Sequence, residues 1–198
     1  MTRSLFVTRL YEAEITDEAL LGDLAHSIRS LARDDQAGRR WSRECGYKGY
    51  TSYASLNDLT TRDPSFAVVA RIVKPHVARF AAECAFKLER NLRLDSLCVN
   101  LLPVGGSHRA HIHPHSVLSG ALYVEVPKGS GTIAFEDPRL PLMMAAPPRE
   151  NGAAEELRTI VTVEPRPGTL LLWESWLRHE VLAGSGRGER LSISFNFA

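Results

Sequence analysis

Hydrophobic positions change their spacing midway along this chain. Residues 5–15 predict an opening strand, and Thr16 fits a helix N-cap, with Asp17 and Glu18 at the positive end of the helix dipole. Leu20, Leu24, Ile28 and Leu31 then recur at helical spacing, which predicts an amphipathic helix to about Arg33. Residues 34–62 are polar and rich in Gly, Tyr and Ser, and predict mostly loop. Within them Trp41, Tyr47, Tyr50 and Tyr53 are expected to anchor against the core rather than line a substrate entrance. Asp63 as cap and Pro64 at the first helical position open a second helix. Its apolar series Phe66, Val69, Ile72 and Val73 continues into Val77, Phe80, Ala81, Cys84 and Leu88, with Pro75 expected to kink or split it. Each helix has one apolar face and is expected to cover the outside of a sheet.

From Leu92 the texture becomes short apolar or alternating runs, at residues 94–102, 117–126, 132–135, 159–163, 169–173, 179–182 and 189–197. Turn signals at Gly105-Gly106, Gly129-Ser130-Gly131, residues 165–168 and residues 184–188 separate them. Many short strands at this spacing predict a sandwich or barrel. The expectation is a single domain over 1–198, with a strand and buttressing helices in 1–91 and an all-β core in 92–198. Residues 138–156 lack periodicity and are expected to form a mobile loop over the site. In the last run Leu191, Ile193, Phe195 and Phe197 share one face, while Arg190, Ser192, Ser194 and Asn196 share the other. The apolar face is expected under the helices. The polar face then looks into a cavity, where a lone arginine needs an anionic partner.

A chain of 198 residues with 44% hydrophobic and 24% charged residues is ordinary for one globular domain. The 24 basic and 23 acidic residues nearly cancel, which gives no electrostatic reason to expect nucleic acid or a membrane surface as partner. No apolar run is long enough to span a bilayer, and no signal peptide is read at the start. Cys45, Cys84 and Cys98 form neither a CxxC pair nor a disulfide framework. They are expected to be structural thiols in a cytoplasmic protein. A homodimer is the expected assembly.

Candidate chemistry concentrates in a few residues. His111 and His113 are separated by one residue, so in extended chain they share a face. His179 lies far downstream in another predicted strand. A close pair and a distant third can make a three-point metal site with open positions, and imidazole alone does not choose among iron, zinc, copper and nickel. His108 and His115 belong to the same cluster, and pairing His113 with His115 is an alternative register. Arg190 with Ser192 offers two donors for a carboxylate.

Several segments together resemble a bacterial family of 2-oxoglutarate- and iron(II)-dependent oxygenases: Asn100-Leu101-Leu102-Pro103, His111-Ile112-His113-Pro114, Leu118-Ser119-Gly120-Ala121-Leu122-Tyr123, Pro167-Gly168-Thr169-Leu170, Ser175-Trp176-Leu177-Arg178-His179, and Glu189-Arg190-Leu191-Ser192-Ile193-Ser194-Phe195-Asn196, with Leu5-Phe6-Val7-Thr8 near the start. The resemblance implies a double-stranded β-helix, or jelly roll, with helices buttressing one sheet. It implies Fe(II) held by His111, His113 and His179, with 2-oxoglutarate as co-substrate and O2 as oxidant. Arg190 and Ser192 match residues that bind the far carboxylate of 2-oxoglutarate; Asn100 matches a position that contacts the co-substrate, and Tyr123 on the following strand is expected to reach it too. No catalytic residue beyond the metal ligands is implied, and the small-molecule substrate is left open.

This chain departs from the superfamily pattern at His113, where Asp or Glu is usual. Imidazole in place of carboxylate leaves the metal site one unit more positive. Glu136, Asp137 and Glu174 are the acidic residues that could supply a carboxylate from elsewhere. Two further readings therefore stand beside the oxygenase: a three-histidine, cupin-like dioxygenase that does not use 2-oxoglutarate, and a non-catalytic metal- or ligand-binding jelly roll.

Overall fold

The computed structural model describes residues 1–198. The N-terminal half contains β1 (Leu10–Glu14), α1 (Glu18–Asp34), α2 (Gln36–Glu44), β2 (Tyr50–Thr51), α3 (Leu59–Arg62) and α4 (Pro64–Glu83). The C-terminal half contains β3 (Leu94–Leu102), β4 (His108–His111), β5 (Leu118–Glu125), β6 (Ile133–Glu136), β7 (Ile160–Val163), β8 (Thr169–Glu174), β9 (His179–Val181) and β10 (Arg190–Phe197). They form two antiparallel sheets, a six-stranded one in the order β1-β8-β5-β10-β3-β2 and a four-stranded one in the order β4-β9-β6-β7. This is the two-sheet arrangement that the strand spacing predicts and the jelly roll that the resemblance implies, although the N-terminal half lends β1 and β2 to the larger sheet. No helix is long and apolar enough to cross a membrane.

Period-two alternation in the central strands divides the apolar residues between two cores. Leu118, Leu122, Leu170, Leu172, Leu191, Ile193, Phe195 and Phe197 point outward from the larger sheet. They meet Leu20, Leu24 and Ile28 of α1 and Phe66, Val69, Val73, Val77 and Phe80 of α4. Ala121, Tyr123, Leu171 and Trp173 point the other way and meet Ile133, Phe135 and Leu177 between the sheets. Gly120 in β5 carries no side chain because the Phe195 ring covers it: an added Cβ would lie 2.5 Å from Phe195 Cε2 and 2.6 Å from the Leu171 carbonyl oxygen.

The helices differ from expectation in informative ways. Asp17, not Thr16, caps α1 and accepts from the Leu20 amide at 3.0 Å. Asp63 and Pro64 open α4 as expected, but Pro75 does not split it. Apolar residues before and after Pro75 bury on the same cluster, and that burial outweighs one missing backbone hydrogen bond. The helix ends at Glu83, so Cys84 and Leu88 lie beyond it. Residues 34–62 are not mostly loop. They hold α2, capped by Asp35 at the Gly38 amide, together with α3 and the short β2. Residues 138–156 are irregular as expected, apart from two single 3-10 turns at Leu140–Leu142 and Glu155–Leu157. The opening strand is shorter than residues 5–15, and Leu5, Phe6 and Val7 are exposed. Cys98 is buried and Cys84 half-buried, whereas Cys45 is exposed.

Replacing Gly120 with Ala is expected to destabilise the fold by about 1–3 kcal/mol, since the new methyl must displace Phe195 or strand backbone. Denaturant unfolding of the variant against the parent chain checks this.

Candidate metal centre

β4 and β9 bring the distant histidines together. They pair antiparallel at the edge of the smaller sheet, with His111 directly opposite His179. His113 follows just past the end of β4, where its amide donates to the Ser175 carbonyl at 3.0 Å. One nitrogen from each of His111, His113 and His179 lies within 4.8 Å of the others. The Nε2 atoms of His113 and His179 are 3.3 Å apart. That separation suits two ligands of one ion at metal–nitrogen bonds of about 2.1 Å. His115 is exposed and has a positive φ of 72°, so the His113/His115 register is not the one that forms.

The ring orientations are held from behind. Nδ1 of His111 lies 2.8 Å from the Arg109 carbonyl, and Nδ1 of His179 lies 2.9 Å from the Leu177 carbonyl. A carbonyl only accepts, so each Nδ1 carries the proton and each Nε2 presents a lone pair inward. Trp173 meets His179 edge-on at a centroid distance of 4.7 Å, and Phe135 packs at 6.0 Å, which fixes the buried ring further. Burial holds these imidazoles neutral. It is the main cause that lowers His179 to about 3, with help from His111, His113 and His108. Burial and then His111 lower His113 to about 4. Burial also lowers His111, against the Arg109 carbonyl, which favours its protonated form.

None of the acidic residues considered as stand-ins joins this group. Glu136 faces Arg178, Asp137 pairs with Arg139, and Glu174 accepts from Trp176 Nε1. The candidate donor set is three neutral imidazoles.

Arg190, at the start of β10, is only 5% exposed and pairs with no carboxylate. Its guanidinium lies over the Tyr123 ring, 4.8 Å from Cζ to the centroid. Arg190 Nε and the fully buried Tyr123 hydroxyl both lack hydrogen-bond partners. Burial raises the Tyr123 phenol, and the adjacent Arg190 charge works against that rise. Ser192 is buried beside them, paired across the sheet with Asn100 on one side and Tyr123 on the other. The Asn100 amide donates to Ser194 Oγ at 2.9 Å. A buried guanidinium without a counterion is costly, and a bound carboxylate would remove that cost.

Two residues join the site that alternation alone does not predict. His108 and His111 are three apart and should face opposite ways in a regular strand. A register irregularity between them in the β4–β9 pairing turns both inward, and their rings stack 4.2 Å apart. Burial is the main cause that lowers His108 to about 3, followed by His111, His113 and Arg190. Tyr47, from the segment expected to be loop, meets His108 edge-on at 5.0 Å. Of the other aromatics there, Tyr50 is buried, while Trp41 and Tyr53 pair with each other nearer the surface. No sequence signal marks the bulge.

A jelly roll with three converging imidazoles and a buried, uncompensated arginine is the arrangement of a metal-dependent protein that takes an anionic small molecule. The sequence profile of the family described as "Putative 2OG-Fe(II) oxygenase" matches residues 96–196, and the chain belongs to that family. No protein of curated function matches by sequence. Solved structures with the same fold include the epimerase SnoN in complex with Fe3+, alpha ketoglutarate and nogalamycin RO, at 17% identity and a TM-score of 0.65, covering 96% of this chain and 78% of that one. A prolyl-4-hydroxylase from Pseudomonas putida matches at 15% identity and a TM-score of 0.60, covering 96% and 92%. HygX from Streptomyces hygroscopicus, with nickel, 2-oxoglutarate and hygromycin B bound, matches at 15% identity and a TM-score of 0.62, covering 96% and 83%.

An imidazole with a depressed pKa binds fewer protons folded than unfolded. Its stabilisation is therefore complete above the unfolded value of 6.5 and is lost as pH falls toward the folded values near 3 to 4. The metal-free protein is expected to unfold at lower urea concentration at pH 5 than at pH 7.5. His113→Asn should show a smaller drop, which paired denaturation curves measure.

Proposed function

We propose that this protein is an Fe(II)- and 2-oxoglutarate-dependent dioxygenase that hydroxylates or otherwise oxidises a small molecule. The observation that carries the reading is Arg190: a buried guanidinium with no protein counterion, in the same barrel as three inward imidazoles. His111, His113 and His179 hold the metal. Arg190 and Ser192 bind the far carboxylate of 2-oxoglutarate, with Tyr123 and Asn100 lining the same inner face. Bound iron supplies the coupling of 2-oxoglutarate oxidation by O2 to oxidation of the substrate.

The residues of this chain position and exclude. The Nδ1 bonds of His111 and His179 hold the imidazoles at fixed angles, so little reorganisation is needed on metal binding. Burial keeps the imidazoles unprotonated, which leaves their lone pairs free for a cation at neutral pH. Arg190 orients a dicarboxylate by two parallel donors, which leaves the keto-acid end directed toward the histidines. Trp173, Phe135, Leu171 and Leu177 wall off water on the side of the barrel behind His179. The three cysteines are free thiols, which supports a reducing, cytoplasmic setting.

A second reading rests on the donor set itself. Three imidazoles without a carboxylate suit a dioxygenase whose substrate chelates the metal directly and which needs no 2-oxoglutarate. Anaerobic titration separates the two. Fe(II) followed by 2-oxoglutarate should produce a metal-to-ligand charge-transfer band in the parent protein. His179→Ala is expected to lose Fe(II) binding, while Arg190→Ala keeps Fe(II) but weakens 2-oxoglutarate roughly 30- to 1,000-fold, as for the loss of a buried charged partner. No band, with the same behaviour in Arg190→Ala, favours the second reading.

A further inference from the structure

His108 has no part in the function proposed above, yet its ring is turned in against His111. Leu102, the last residue of β3, stands opposite Arg190 in the larger sheet. A short link then carries the chain across to His108, the first residue of β4, which stands opposite Val181 in the smaller sheet. Leu102, Val181 and Arg190 line one recess. Arg190 and His108 therefore flank the same end of the barrel from opposite sheets.

The His108 ring is held on two sides, stacked on His111 at 4.2 Å with an interplanar angle of 24°, and against the Tyr47 edge at 5.0 Å. Near-parallel stacking sets its nitrogens beside those of His111 rather than converging with them, and His108 is outside the group that could share one ion. His111 and His179 each donate Nδ1–H to a backbone carbonyl; His108 makes no such bond. An imidazole carries at least one N–H in either protonation state. An oriented ring donor without a protein partner, at the same end of the barrel as an uncompensated guanidinium, is suited to an anion with oxygens to spare.

We infer that His108 is a second anchor for the co-substrate, donating its free ring N–H to the same distal carboxylate that Arg190 holds. The inference rests on the 2-oxoglutarate reading above. A carboxylate has about four lone-pair sites, so it can accept from a guanidinium on one sheet and an imidazole on the other. Tyr47 is then a positioning residue that keeps the His108 ring in place. The pair of anchors selects 2-oxo acids that carry a second carboxylate.

The test uses the Fe(II)-loaded protein under anaerobic conditions, with calorimetric titration of 2-oxoglutarate and of 2-oxobutyrate, which shares the keto-acid end but lacks the second carboxylate. His108→Phe retains a ring between Tyr47 and His111 and removes the N–H. It is expected to weaken 2-oxoglutarate about 10- to 100-fold, the loss of one hydrogen bond to a charged group. Binding of 2-oxobutyrate and of Fe(II) itself should stay within about threefold, because neither uses that donor. His108→Gln restores a donor and should recover most of the affinity. Unchanged 2-oxoglutarate binding in His108→Phe overturns the inference. So does a parallel loss for both 2-oxo acids or for Fe(II), which would assign the ring to the metal site or to packing. If His108→Phe does not fold, His108→Leu makes the same comparison. A parent protein that binds Fe(II) but no 2-oxoglutarate overturns the co-substrate reading and the anchor together; a parent that binds it while His108→Phe binds equally well overturns the anchor alone.

Discussion

Strand β10 is the constraint to which fold and site are both tied. It runs through the larger sheet between β3 and β5, so every side chain on it faces either the helices or the barrel interior. Leu191, Ile193, Phe195 and Phe197 go to the helices, and their burial against α1 and α4 sets the register. Once that register is set, Arg190, Ser192, Ser194 and Asn196 have no choice but the interior. A slip of one residue would put four apolar side chains into the cavity and the guanidinium under the helices. The position of the buried arginine is thus secured by a hydrophobic core on the opposite face of the same strand.

The interior that results is unusual in its charge. Three imidazoles and a guanidinium share it, while Glu136, Asp137 and Glu174 are turned to partners of their own. Where a carboxylate ligand would offset part of a metal's charge, His113 offsets none. Such a cavity favours anionic ligands over neutral ones, and more strongly than a site with two histidines and one carboxylate would. The neutral state of the imidazoles follows from burial among Trp173, Phe135 and one another, so the same packing that shapes the barrel prepares the ligands.

Strands were legible wherever the chain alternates or stays apolar between turn residues. Residues 94–102 and the last run are examples, because burial on one or both faces leaves a mark at period two. The pair His111 and His113 and the inward face of Arg190 were legible for the same reason. Helix α2 was not: Gln36–Glu44 is almost wholly polar, and it is held by the Asp35 cap and by packing over β2, not by an apolar stripe. Pro75 does not split α4, since a local rule about a missing donor met a burial energy that only the assembled core supplies.

By itself, then, the sequence determined which residues must be buried, which strand face is polar, and that a close histidine pair, a distant histidine and an arginine are the candidates for holding a metal and an acid. Those are local consequences of side-chain chemistry and period. Only the tertiary structure decided that His111 stands opposite His179, that His115 is outside, and that a bulge in β4 turns His108 inward beside Tyr47. The physical reason is that cross-strand register and bulges are set by how two sheets close on each other. That is a property of pairs of distant segments, and no single stretch of the chain contains it.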